Sequence, residues 1–297
     1  MQPSEIVGTV SELWRFPVKS MQGERLDEAI VGDAGVIGDR AYAVVDRKTG
    51  KVASAKHPKL WPDLLSCRAT FSKPPRLGED LPAVRIDLTD GTSVMSDADD
   101  VDEVLSRFFG RDVELARSAP SDFTIDQYHP DIENLDPEGH RDEVTDTKLG
   151  AALFSQLGMP SFVPEGSFMD MFPVSVMTTS TLNRLGELQP ESVADIRRFR
   201  MNLLVDTAGT GFVENEWPGK TIGVGSEVQL AVALPDPRCV MAIAAQPGLP
   251  HDPGILRSLA KHNRIDVAGA GLYPCAGAYA LTAAGGTVRT ADPVRIF

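Results

Sequence analysis

Residues 5–16, EIVGTVSELWRF, carry Ile6, Val7, Val10, Leu13, Trp14 and Phe16 with no helical spacing and no cap ahead of them. The stretch reads as a β-strand. Short strand-like runs follow at 26–31, 41–46, 65–71, 83–88, 92–95 and 112–117, bounded by Gly, Pro or Asp-Gly. Strands so closely spaced, with turns between them, point to a sandwich or barrel. One helix interrupts the series, expected over Asp97–Phe109 with Ser96 as cap. Val101, Val104, Leu105, Phe108 and Phe109 form one apolar face, and Gly110 stops it.

The second half has the same character. Strands are expected at 173–178, 201–205, 228–234, 238–245, 277–283, 287–289 and 293–296, with helices at 179–188 and 191–197. Asp252-Pro253 opens a further helix through His262, the aspartate as cap and the proline at the first helical position. Neither half alternates strand and helix regularly, which excludes a doubly wound parallel sheet. The expected fold is mainly β with a few helices (α+β), in two linked β-rich domains. Between the halves, residues 118–150 have no period and a heavy acidic excess, and read as a solvated crossover or lid.

With 297 residues, 42% hydrophobic and 24% charged, the chain can bury a proper core. A net charge of −13 excludes nucleic acid as a partner, because a phosphate backbone needs a basic face. It leaves room for a small anion, which needs only a few well-placed cations. The longest apolar runs fall short of a membrane span, and the first residues lack the basic and apolar regions of a signal peptide. Three cysteines far apart, Cys67, Cys239 and Cys275, argue against a disulfide framework and for a reducing compartment, so a cytoplasmic location is expected.

Cys239 stands out among the three. Two prolines stiffen its loop, Leu234-Pro235-Asp236-Pro237-Arg238-Cys239-Val240, and the preceding arginine favours thiolate, the form that ligates soft metals or attacks electrophiles. Cations also gather at strand ends: Lys19 and Ser20 after Phe16-Pro17-Val18, Arg40 after Gly38-Asp39, and Arg197, Arg198 and Arg200 before a strand. In an acidic protein such groups suit a phosphate or pyrophosphate. Other motifs fail. Gly209-Thr210-Gly211 and Gly223-Val224-Gly225 are incomplete dinucleotide loops, and no Walker, CxxC, HExxH or GxSxG pattern occurs. His129 and His140 fall in the acidic crossover, where metal binding is one reading and solvated loop residues the preferred one. Asp131, Glu133, Asp136 and Glu138 lack the order of a calcium loop and read as a charged loop.

FPVKS (16–20), GDRAYAVVD (38–46), RFRMN (198–202), PDPRCV (235–240), AGAYA (276–280) and TVRTADPV (287–294) occur in an order that resembles the MOSC family. These are molybdenum cofactor sulfurase C-terminal domain proteins, here with the MOSC N-terminal β-barrel domain. The chain is similar to the mitochondrial amidoxime-reducing component and its bacterial counterparts. The resemblance implies an N-terminal barrel domain over 1–117, a linker or lid over 118–139 and a MOSC domain over 140–297. It further implies the molybdenum cofactor (Mo-molybdopterin), with Cys239 as metal ligand and catalytic residue. Lys19, Ser20, Arg40, Arg200 and Arg238 would hold the phosphate and pterin, Tyr279 would lie against the cofactor, and Met171 and Phe172 would approach it through backbone groups. Met171, Phe172, Met201 and Pro237 depart from the small polar residues, proline and serine that relatives carry there, which bears on the substrate pocket.

The implied activity is reduction of N-hydroxylated substrates: hydroxylamines, amidoximes or N-hydroxylated bases. No cluster-binding domain follows, so electrons would come from a separate ferredoxin- or cytochrome b5-like partner with its reductase. Residues 121–146 would offer that partner a negatively charged docking face or lid. Two other classes share the same residues: a cofactor or sulfur carrier using a Cys239 persulfide, and a metal-free binding or sensor module.

Overall fold

The computed structural model describes residues 5–297. Its centre is a closed barrel of seven strands: β1 (Glu5–Arg15), β2 (Val174–Thr178), β3 (Leu203–Thr207), β4 (Thr221–Val224), β5 (Val228–Pro237), β6 (Leu272–Ala284) and β7 (Pro293–Ile296). Around the barrel the order is β2, β3, β1, β7, β4, β5, β6, and β6 pairs back onto β2. All neighbours are antiparallel except β2 and β3. A parallel pair needs a crossover, and here it runs through helix Thr179–Leu188 and the short helix Ile196–Phe199.

The first strand read from the sequence therefore belongs to the barrel built by the last 125 or so residues. Gly8 pairs with Thr207 and Leu13 with Leu203 on one side, while Glu5 pairs with Ile296 on the other. Its alternation is broken by two register shifts, between Ile6 and Gly8 and between Val10 and Glu12. Such bulges bend a strand to follow a barrel wall. Val10 and Leu13 point into a core with Val176, Leu203, Val205, Ile222, Leu230, Val232 and Ala280. Strand Gly286–Arg289 pairs in turn with Glu28–Gly32, so the early and late parts of the chain are joined through two sheets.

Residues 16–117 build a second core around Val18, Met21, Tyr42, Val44, Trp61, Leu64, Ile86 and Leu105. Its sheets are Ala43–Asp46 with Val113–Ala116, and Arg68–Phe71, Val84–Asp87 and Ser93–Met95. The helix packed on it is Val101–Phe109, four residues shorter at its start than expected. Ser96 does not cap it, because its hydroxyl accepts from Val84 N–H at 2.9 Å. Helix Pro253–His262 has the expected start: the Asp252 side chain accepts from Gly254 N–H and Pro253 sits in the first turn.

Three other expectations are corrected. Residues 118–150 are not an unstructured crossover: Thr124–His129 and Glu143–Lys148 form a six-pair hairpin, Gly150–Gln156 is a helix, and Phe123, Ile125, Ile132, Leu135 and Leu149 are buried. The run 238–245 is not a strand, since β5 ends at Pro237 and Val240–Ile243 is a 3-10 turn. The helix expected at 191–197 is only Ile196–Phe199. Among the described residues no helix is long and apolar enough to cross a membrane.

Candidate functional site

A cavity of about 700 Å³ lies where the barrel, the residue 16–117 lobe and the hairpin meet. Its wall includes Cys239, Lys19, Ser20, Arg40, Met171, Phe172, Arg200, Arg238 and Tyr279, all nine site residues expected from sequence. All but Tyr279 stand in a loop beside a strand. Lys19 and Ser20 follow β1, Met171 and Phe172 precede β2, Arg200 links helix Ile196–Phe199 to β3, Arg238 and Cys239 follow β5, and Tyr279 lies on β6.

The cationic side is built around Phe16. The guanidinium groups of Arg40 and Arg200 both lie over its ring, at 4.7 and 4.3 Å from the centroid. Arg40 is ion-paired with Asp39 and donates to the Arg200 carbonyl at 2.9 Å. Arg200 donates from Nη1 to the Met21 carbonyl at 2.6 Å, and its Nη2 is buried without a hydrogen-bond partner among the described residues. Burial, reinforced by the charge of Arg40, pulls the Arg200 guanidinium down to about 9. Ser20, Arg40 and Arg200 hold positive φ of 64°, 48° and 57°. Backbone strain of this kind persists only where packing over-determines it, often at functional sites.

Asp170, between Met169 and Met171, supplies the counter-charge. It pairs with Lys19 and, at 2.7 Å, with Lys56. Burial opposes the charged carboxylate, but the two lysines hold it far below the ordinary range. Burial, with Lys56 and Arg40 nearby, pulls the Lys19 ammonium down to about 8 despite Asp170. Burial acts on Lys56 too, but Asp170 and the Cys239 side chain raise it above its ordinary value. The Ser20 hydroxyl accepts from Ala55 N–H at 3.1 Å, fixing the loop that carries Lys19.

Arg238 is paired with Asp236 and donates to the Phe199 carbonyl at 2.9 Å. Burial pulls its guanidinium below the ordinary value, opposed only in part by Tyr279 and Cys239 beside it. Burial pushes the Tyr279 hydroxyl well above the ordinary phenol range, so it keeps its proton. Its ring stacks on Phe172 at 5.4 Å, and Phe172 stacks on Phe162 at 5.3 Å. Phe172 thus contributes an aromatic wall to the cavity. Of the three thiols, Cys67 and Cys275 are buried and pushed up to about 12 by that burial, while Cys239 is partly exposed.

Lys56, Asp170 and Asp236 went unmarked as partners in the sequence. Of the arginines before β3, Arg197 pairs with Asp195, and Arg198 is buried on the carbonyls of Val193, Ala242, Ala244 and Pro250. Of these three, among the described residues, only Arg200 has a buried guanidinium nitrogen without a partner. His129 and His140 are not solvated as expected: His129 is buried, and with Asp136 they form a cluster on the cavity wall. The Asp136–His140 spacing of four residues was the one signal in the sequence.

Residues 7–103 match the MOSC N-terminal beta barrel domain and residues 164–295 match the MOSC domain. The chain belongs to the MOSC family. MOSC domains are associated with molybdenum-cofactor-binding or sulfur-transfer proteins. Among solved structures, the chain is similar to the YUAD protein from Bacillus subtilis, at 11% identity and a TM-score of 0.45, covering 99% of this chain and 98% of that one. It is also similar to YiiM from Geobacillus stearothermophilus, at 13% identity and a TM-score of 0.29, covering 42% and 54%. No curated protein matches the chain.

Proposed function

We propose that the protein is a molybdenum-cofactor oxidoreductase that reduces N-hydroxylated substrates, such as hydroxylamines, amidoximes or N-hydroxylated bases, with electrons from a separate redox protein. The observation that carries this reading is one cavity holding both the partly exposed thiol of Cys239 and a buried guanidinium, Arg200, with an unpartnered Nη2. A buried cationic donor without a partner is costly unless an anion meets it. A pterin phosphate is such an anion, and a thiolate is a suitable soft donor for molybdenum, so the residues fit the group.

Arg200 and Arg40, held against Phe16, would bind the phosphate, with Lys19 adding charge while protonated. Cys239 would ligate the metal. When bound, the cofactor supplies the two-electron oxygen-transfer chemistry. Reduction of an N–OH group takes up two electrons and two protons and releases water. Tyr279 Oη, which keeps its proton, and Lys56 Nζ would donate hydrogen bonds inside the cavity, and the Phe172–Tyr279 wall would exclude water. Electrons would arrive from a ferredoxin- or cytochrome b5-like donor.

The test is molybdenum per chain by inductively coupled plasma mass spectrometry, on wild type and Cys239→Ala purified from a cofactor-producing host, followed by benzamidoxime turnover with a chemical reductant. Near-stoichiometric metal in wild type, its loss in the variant, and turnover support the proposal. Metal in neither protein, under conditions that load a relative, overturns it. A sulfur-carrier role is favoured by one feature, that Cys239 is the accessible thiol of the three. A reproducible dithiothreitol-labile gain of one sulfur on Cys239 in the intact mass would select it.

A further inference from the structure

The loop end of the hairpin gathers a second set of donors, separate from Cys239 and from the cationic groups. His129 closes strand Thr124–His129, where it pairs with Glu143, and residues 130–142 loop back between them. The loop is anchored by Ile132 and Leu135, which enter the core under helix Pro253–His262, and Pro137 packs close against Gly271. This brings one ligand atom each from His129, Asp136 and His140 within 4.8 Å of one another.

The arrangement is incomplete as a hydrogen-bonded network. Asp136 Oδ1 accepts from the Gly139 N–H at 2.8 Å and the His140 N–H at 3.3 Å. Oδ2 is buried and has no hydrogen-bond partner among the described residues, and the Asp136 side chain is 10% exposed. Facing Oδ2 at 3.4 Å is Nδ1 of His129. The other nitrogen of that ring, Nε2, lies 3.0 Å from the Thr145 hydroxyl, which has Thr147 Oγ1 at 3.3 Å as a further partner. With Thr145 donating to Thr147, His129 donates from Nε2 and presents the Nδ1 lone pair to a carboxylate oxygen. In that tautomer a cation would bridge the two lone pairs; the other tautomer places Nδ1–H toward Oδ2 instead. Nδ1 of His140 lies 3.3 Å from Oδ1, and its Nε2 lies 3.4 Å from Glu138.

We propose that His129, Asp136 and His140 bind a divalent transition-metal ion, with zinc the best match to two imidazoles and a carboxylate, and that the ion pins the 130–142 loop against the cavity wall. The two histidine–carboxylate spacings, 3.4 and 3.3 Å, suit it: with zinc–nitrogen and zinc–oxygen bonds of about 2.0–2.1 Å, a tetrahedral site has donors about 3.4 Å apart, and the whole set lies within 4.8 Å. The surroundings suit it too. Thr145 and Glu138 hold the outer ring nitrogens as orienting partners of metal-bound imidazoles do, and Asp136 Oδ1 is held by backbone N–H groups while Oδ2 stays free. The proposal does not depend on molybdenum binding at Cys239.

The test titrates the full chain, stripped with EDTA, with zinc against a chromophoric chelator. One equivalent is expected to bind in wild type and in Cys239→Ala. Affinity is expected to fall in His129→Gln and Asp136→Asn by more than the roughly 10–100-fold that loss of an orienting partner costs. Because His129 is buried, the less buried His140→Gln serves as the variant whose melting temperature should hold while zinc affinity drops. Zinc should also slow tryptic cleavage after Arg141, whose side chain is 52% exposed beside the site, in wild type but not in His140→Gln. Equal zinc affinity in wild type and the ligand variants, absence of saturable binding, or loss of binding in Cys239→Ala would each overturn the assignment.

Discussion

Replacing Asp170 with asparagine removes the only carboxylate among the described residues that pairs with Lys19 and Lys56. The two ammonium groups, 6% and 12% exposed, are left facing each other with Arg40 close to Lys19 and Arg238 close to Lys56. Breaking a buried ion pair by removing one partner costs about 3–5 kcal/mol. Asp170 keeps a quarter of its side-chain surface, which places Asp170→Asn at the lower end, about 3 kcal/mol. At about 2.1 cal/mol/K per residue the unfolding entropy is about 0.6 kcal/mol/K, so the melting temperature should fall by about 5 °C. The pH dependence has a definite sign. A carboxylate held below its ordinary value of 3.8 stabilises the fold above that pH, and the contribution fades as pH falls through the lower native value. The gap between the proteins should therefore persist from pH 7 to about 4 and close below it. Calorimetry with sulfate in place of chloride adds a second reading, since an anion in the cavity restores the missing charge and should narrow the gap. Equal melting temperatures at pH 7 would refute the pairing, and a gap unmoved by sulfate would refute the anion cradle.

Lys19, pulled down to about 8, should make sulfate binding pH-dependent. Below that value the ammonium is already charged; above it binding must take up a proton, so affinity should fall by up to about tenfold per pH unit. Lys19→Met should abolish the step in a calorimetric titration, and a step that survives would assign it elsewhere. Gly277→Ala should cost about 2–4 kcal/mol in urea unfolding, because Gly277 has φ of 82° and a methyl there would sit 2.8 Å from the Val176 carbonyl oxygen and crowd Met201. With Cys67 and Cys275 buried and raised to about 12, a thiol reagent at pH 8 should modify Cys239 quickly in the native protein and all three only after denaturation. Fast reaction of Cys67 would contradict its burial.

What could be read from the sequence was what local chemistry determines. Helix Pro253–His262 was visible because Asp252 and Pro253 mark its start, and helix Thr179–Leu188 agrees with its expected span. The hairpin was not, because TIDQYH and EVTDTK are short of apolar residues and their register comes from pairing with each other. β4 escaped because four residues with a central glycine, TIGV, carry little periodicity. The apolar run after Cys239 looked extended, although a short apolar stretch does not distinguish strand from turn or helix. The same division holds at the site. Cys239 and the cations beside strand ends declared themselves through neighbouring residues. Asp170 could not, since its partner Lys19 is 151 positions away, and Lys56 sits in a stretch with no motif.

The placement of β1 in the barrel sets a timetable for folding. Emerging early, Glu5–Arg15 meets only Glu24–Leu26 as a nearby partner. Its main neighbours, β3 and β7, are made some 200 and 290 residues later. At about 5–20 residues per second the strand waits roughly 15–60 s with its apolar face unpaired. During that wait the residue 16–117 lobe can form around its own core, but the barrel cannot close. Pairings of such long sequence separation fold slowly and leave edges exposed, so productive synthesis of this chain rests on keeping one early strand from pairing elsewhere until the last stave arrives.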